Sequence, residues 1–107
     1  MHEPMSKETL DVFLRPWLGD IGRKAFYRQI AQAHRRYTDE IEPLYGEISR
    51  PVLIARGEED EWIPIERGRR LHAAIPGSKF VPIPAAGHLV QEDQPKVLLE
   101  AIREFLV

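Results

Sequence analysis

The chain has 107 residues, with 15 Lys and Arg against 17 Asp and Glu, a net charge of −2, and no cysteine. That length allows one small domain with a core of its own, and the near balance of charge removes any electrostatic case for nucleic acid. The lack of cysteine excludes a disulfide framework, a thiol nucleophile and a thiolate metal site.

The opening Met1-His-Glu-Pro lacks the apolar core of a signal peptide, and no apolar run approaches the length of a membrane span, so a cytoplasmic setting is expected, with no membrane partner. Ser6 is placed to N-cap a first helix, with Glu8 and Asp11 near its positive end. Leu10, Phe13, Leu14, Trp17 and Leu18 recur at helical spacing, and Pro16 and Gly19 make that helix short or kinked. From Arg23 the spacing resumes. Phe26, Ile30, Ala33 and Tyr37 form one apolar stripe, with Arg23, Lys24, Arg28, Arg35 and Arg36 on other faces as a solvated surface rather than a phosphate patch. Glu42-Pro43 and Tyr45-Gly46 close this half.

From Pro51 the pattern changes. Val52 to Ala55 is a short continuous apolar run between Pro51 and Gly57, the signature of a strand covered on both faces. Phe80 to Ile83 is a second. The twenty-two residues from Gly57 to Ser78 suffice for a helical crossover between parallel strands. Pro64 suits the first helical turn, Ile65, Leu71, Ala74 and Ile75 give that helix an inward face, and Pro76-Gly77 stops it. A last helix opens near Gln94-Pro95, with Val97, Leu98, Ala101, Ile102, Phe105 and Leu106 as a broad apolar face.

This order of elements puts Asp60 and His88 past the carboxyl ends of two strands. Neighbouring strands lie about 4.8 Å apart, so loops leaving the same end can bring the two side chains into hydrogen-bond reach. A histidine can take a proton from a hydroxyl nucleophile and return it to a leaving group, and a carboxylate on its other ring nitrogen fixes the tautomer and stabilises the imidazolium. The plain alternative is an exposed Asp in an acidic turn and an exposed His in a glycine-bounded loop. Trp62, two residues past the acid, either walls a pocket or belongs to the core. His72 falls on a helix surface and His2 in a terminus expected to be mobile. The four histidines show no paired ligand spacing, so no metal and no cofactor are expected.

Pro51-Val-Leu-Ile-Ala-Arg-Gly-Glu-Glu-Asp60, Trp62-Ile63-Pro64, Ile75-Pro76-Gly77-Ser78 and Gly87-His88, in this order and spacing, resemble the C-terminal portion of the α/β-hydrolase family. The resemblance implies an α/β fold, here a partial one with two parallel strands and flanking helices after an N-terminal helical cap segment. It implies residues 1–50 as that cap segment and residues 51–107 as the C-terminal βαβα portion of the core. Asp60 then matches the triad acid, in preference to Glu58, Glu59 or Glu61, and His88 the triad histidine; Trp62, where it walls the pocket, is the candidate substrate contact beside them. No Gly-x-Ser-x-Gly elbow occurs in the sequence, and in this family the nucleophile precedes acid and histidine. The resemblance therefore implies a part of a hydrolase that supplies acid and base for cleaving a small-molecule ester, epoxide or similar bond. Such a chain is expected to be inactive alone. The alternative is a non-catalytic folded module used for protein association. The family's strand order, with the strand next to this one preceding residue 1, further implies that the run from Val52 to Ala55 has one unpaired side, and self-association through that strand edge is expected.

Overall fold

In the computed structural model, which describes residues 2–107, the chain forms two compact units, Met5–Glu42 and Pro43–Val107, the latter joined by residues 2–4. The first unit is helical. Helix α1 (Lys7–Leu14) starts at Ser6, whose Oγ accepts the Thr9 N–H at 3.2 Å. A 3-10 turn (Arg15–Trp17) follows at Pro16, where the ring cannot continue an α-helical ladder. Gly19 does not end a helix, as its spacing suggested; with φ +76° it begins α2 (Gly19–Ala31), four residues before Arg23. The stripe through Phe26, Ile30, Ala33 and Tyr37 is also broken, because α2 stops at Ala31 and Tyr37 lies on the separate short helix α3 (Arg36–Asp39). Within this unit Trp17 and Phe26 meet edge to face at 5.5 Å, and α2 passes close to the backbone of Pro16 and Trp17 at Gly22, the unit's one buried residue.

A 3-10 stretch (Glu42–Glu47) spans the boundary in the chain, and the second unit then holds a two-stranded sheet. Strand β1 (Leu53–Gly57) runs parallel to β2 (Lys79–Ile83), with Leu53 opposite Lys79 and Gly57 opposite Ile83. The first strand thus begins one residue later and ends two residues later than its apolar run, because Arg56 and Gly57 continue the ladder on backbone groups alone. Helix α4 (Ile65–Ala74) forms the crossover, and Pro64 is its N-cap rather than its first residue. The four-residue α5 (Val90–Asp93) and then α6 (Pro95–Leu106) complete the chain, with Pro95 at the first position of α6, where its missing N–H costs no bond. Both α4 and α6 pack on the two strands. Ile54, Ile75, Ile83, Ala86 and Ala101 form the buried core, with Ile83 and Ala86 closed to solvent. Each fully buried isoleucine contributes about 1.5–3 kcal/mol. Pro82 removes a donor from β2, which fits a strand with one neighbour. Among the described residues no helix is long and apolar enough to cross a membrane.

Candidate active site

The site is built where β1 and β2 end side by side. Gly57 closes β1, and a Cβ there would lie 2.3 Å from the carbonyl oxygens of both Ala86 and Gly87. Only the missing side chain lets the loop after β2 cross the end of β1. Two backbone bonds then stitch the loops together: the Glu58 N–H donates to Ile83 O at 3.0 Å and the Glu59 N–H to Ala86 O at 2.9 Å. The loop turns back at Ala85, which takes the left-handed φ of 51°. Past the turn, Asp93 accepts the Gly87 N–H at 2.8 Å and the His2 N–H at 2.7 Å, so the histidine is held from its preceding residue and the terminus expected to be mobile is tied down.

Within this frame His88 Nδ1 lies 2.9 Å from Asp60 Oδ2. The Asp60 side chain is only 2% exposed, and its other oxygen accepts the N–H groups of Trp62 at 3.0 Å and Ile63 at 2.9 Å. Burial pushes the Asp60 carboxyl up, but the bonds from Ile63, His88 and Trp62 and the charge of the imidazolium outweigh it and hold the carboxyl below its ordinary value. A carboxylate that stays ionised is the acceptor a ring N–H needs, and it commits Nδ1 as the donor. Nε2 is then the ring nitrogen available to exchange a proton. Trp62 is 77% exposed, so it is not core, and its ring stands 4.5 Å from the His88 ring, tilted by 49°. The exposed face of the site is therefore an imidazole beside an indole.

The model of the Alpha/beta hydrolase family matches residues 3–101 of this sequence. The chain belongs to the α/β-hydrolase family. Among curated relatives, the uncharacterized hydrolase YugF of Bacillus subtilis is 36% identical over 102 residues, which are 95% of this chain and 36% of that protein. A 2-(acetamidomethylene)succinate hydrolase of Mesorhizobium japonicum is 31% identical over 77 residues, covering 72% of this chain and 28% of its own length. The crystal structure of an α/β-hydrolase-fold protein from Burkholderia ambifaria superposes with a TM-score of 0.89 at 43% identity, over 96% of this chain and 38% of that one. A thermophilic esterase from Thermogutta terrifontis does so with a TM-score of 0.60 at 39% identity, over 62% of this chain and 24% of its own. This α/β hydrolase chain thus spans about a third of the length of the first curated relative it matches.

Asp60, His88 and Trp62, named from the sequence of this α/β hydrolase chain, come together in one contact group. Two further members were not foreseen. Arg56 bonds Asp60 Oδ2 at 3.1 Å and Ile63 O at 2.6 Å through Nη2. Asp93 is the other, accepting the Gly87 N–H. Its position five residues after His88 and two before Pro95 was the available signal, since a short polar residue there can reach back to a loop N–H. His72 is exposed, as its helix position implied, and its Nδ1 lies 2.7 Å from Ser78 Oγ, away from this group.

Proposed function

We propose that this chain is the C-terminal portion of an α/β hydrolase and supplies the base and acid of a nucleophile–histidine–aspartate triad. The observation that carries the reading is the 2.9 Å contact between His88 Nδ1 and the buried Asp60 carboxylate. In the reaction, Nε2 of His88 takes the proton of a hydroxyl nucleophile, or of water, and later hands it to the leaving group. Asp60 keeps the Nδ1–H tautomer and stabilises the imidazolium without taking the proton. Trp62 lies against a small-molecule substrate held over the imidazole. The nucleophile and oxyanion donors come from outside residues 1–107, no cofactor enters the scheme, and a cytoplasmic setting suits a chain without cysteine. The bond cleaved is an ester, an epoxide or a similar electrophile, according to whether the nucleophile is Ser or Asp.

A chimera tests this. The stretch of the Thermogutta terrifontis esterase that matches this chain is replaced by the residues of this chain, and hydrolysis of an activated ester is followed. Activity is expected, and His88→Ala or Asp60→Asn should each lower turnover by a factor on the order of 10³ or more in a chimera that folds as before. Turnover that survives either change in the folded chimera removes that residue from the mechanism. The chain alone should hydrolyse the same ester no faster than free imidazole.

A second reading, a folded module for protein association, draws on β1, which among the described residues pairs with β2 alone. Its other side is a row of backbone donors and acceptors on an apolar strand, a surface suited to a second copy of the chain. Light scattering coupled to gel filtration is then expected to give a mass that grows with concentration, and a constant monomer mass would end this reading.

A further inference from the structure

Arg56 shares one carboxylate oxygen with the histidine. Its Nη2 lies 3.1 Å from Asp60 Oδ2, and His88 Nδ1 lies 2.9 Å from the same atom, so the guanidinium nitrogen and the ring nitrogen are at most the sum of the two, 6.0 Å, apart. The placement is built by the fold. The stem of Arg56 runs across α4 at Gly68, where a Cβ would come within 2.7 Å of Arg56 Cγ and 2.9 Å of the Phe80 ring. Nη2 is fixed at its far end by the Ile63 carbonyl at 2.6 Å, and the Arg56 side chain is 24% exposed, so the charge is only partly screened. The carboxylates bonded at His88 and its loop are Asp60 on its ring and Asp93 on the N–H of Gly87, and the exposed Glu58, Glu59, Glu61 and Glu92 neighbour these two in sequence. Arg56 is the cation bonded to the histidine's own partner.

A base paired with a buried carboxylate risks being protonated before it can act, because the carboxylate favours the imidazolium. A fixed cation on the same oxygen opposes that. Resting on the triad reading above, we propose that Arg56 is a positioning residue that restrains protonation of His88 through the shared Asp60 oxygen. Two unit charges 6 Å apart shift a titration by roughly half a pH unit at the dielectric of water and roughly two at that of a partly buried site.

The experiment follows the ring Cε1–H resonance of His88 against pH by NMR in this chain as it stands. Arg56→Met, which keeps the stem, should move the His88 midpoint to higher pH by roughly half to two units. Arg56→Lys, which keeps a charge within reach, should leave it near the wild-type value. Arg56→Gln, neutral and polar, should move it as Arg56→Met does and decides the matter if the methionine variant fails to fold. Asp60→Asn should move the midpoint down. If Asp60→Asn lowers the midpoint but a folded neutral variant at Arg56 leaves it in place, the role of Arg56 is overturned and the His–Asp pair stands. If Asp60→Asn has no effect, the pair itself fails.

Discussion

Two helices of this chain carry an apolar stripe, the stronger one on α6, and meet different fates. Helix α6 lies on both strands and includes the buried Ala101, whereas α2, with Ile21, Phe26 and Ile30 exposed, buries only Gly22. The difference is the sheet. A helix buries its stripe only where another surface is offered, and in Pro43–Val107 two parallel strands offer it. Met5–Glu42 is held by short contacts among its own helices and the 3-10 turn. The site sits wholly in the unit with the sheet, where loops can be fixed by core residues such as Ile83 and Ala86 next to them in sequence.

The sharpest way to break this contrast is a pair of truncations. Ile83→Ala, at a side chain with 0% exposure, should destabilise the chain by about 3–4 kcal/mol in urea denaturation. Ile21→Ala, at 89% exposure on α2, should change stability by less than about 0.5 kcal/mol. Equal costs would mean that the exposed helical face is covered in solution, which the concentration dependence of the Ile21→Ala effect would reveal. Next in size, Gly57→Ala drives a Cβ into two carbonyl oxygens of the histidine loop and should cost about 2–3 kcal/mol. Circular dichroism of α1 and α2 should be unaffected at pH 7 in the folded variant, while the His88 resonances move.

Acid should act on one unit first. Asp60 and Asp93 are both held below their ordinary values: burial raises each, and backbone N–H bonds outweigh it, from Ile63 and Trp62 together with His88 at Asp60, and from His2, Gly87 and Glu3 at Asp93. A carboxylate depressed in the folded state contributes stability that is fully present above its unfolded value of about 3.9 and is lost as pH falls through the folded value. Stability of the sheet unit should therefore be flat near neutrality and fall below about pH 4. Asp60→Asn should lower stability at pH 7 by about 1–2 kcal/mol through weaker hydrogen bonds and make the acid loss shallower. An acid slope identical to wild type would contradict the assignment to Asp60. The smallest expected effect is a gain. Ala85→Gly relieves a left-handed residue at a cost in unfolded-chain entropy, and should raise stability by about 0.5 kcal/mol. A loss there would mean that the Ala85 methyl group contributes packing at the turn.

Much of this protein follows from local order in the chain. The apolar runs at Val52–Ala55 and Phe80–Ile83, the proline and glycine punctuation, and an Asp and a His each just past a run define a parallel β-α-β unit with both residues at one end, because side-chain period and crossover length are properties of the sequence itself. The Ser6 cap and the opening of α6 at Pro95 are local in the same sense. Other features needed the folded chain. Whether Trp62 is core or surface turned on which way its loop closes over His88, and the breaks at Gly19 and Ala31 turned on where the helical turns end rather than on periodicity. Arg56 and Asp93 join the site through contacts four and six residues away along loops, to Asp60 and Gly87. Hydrogen bonds of that kind depend on the direction of side chains at the ends of packed elements, which no periodicity encodes. Gly57 shows the division in one residue: the sequence marks it as the end of a strand, and only the second loop, whose carbonyl oxygens a Cβ would meet at 2.3 Å, shows why a larger residue is costly there.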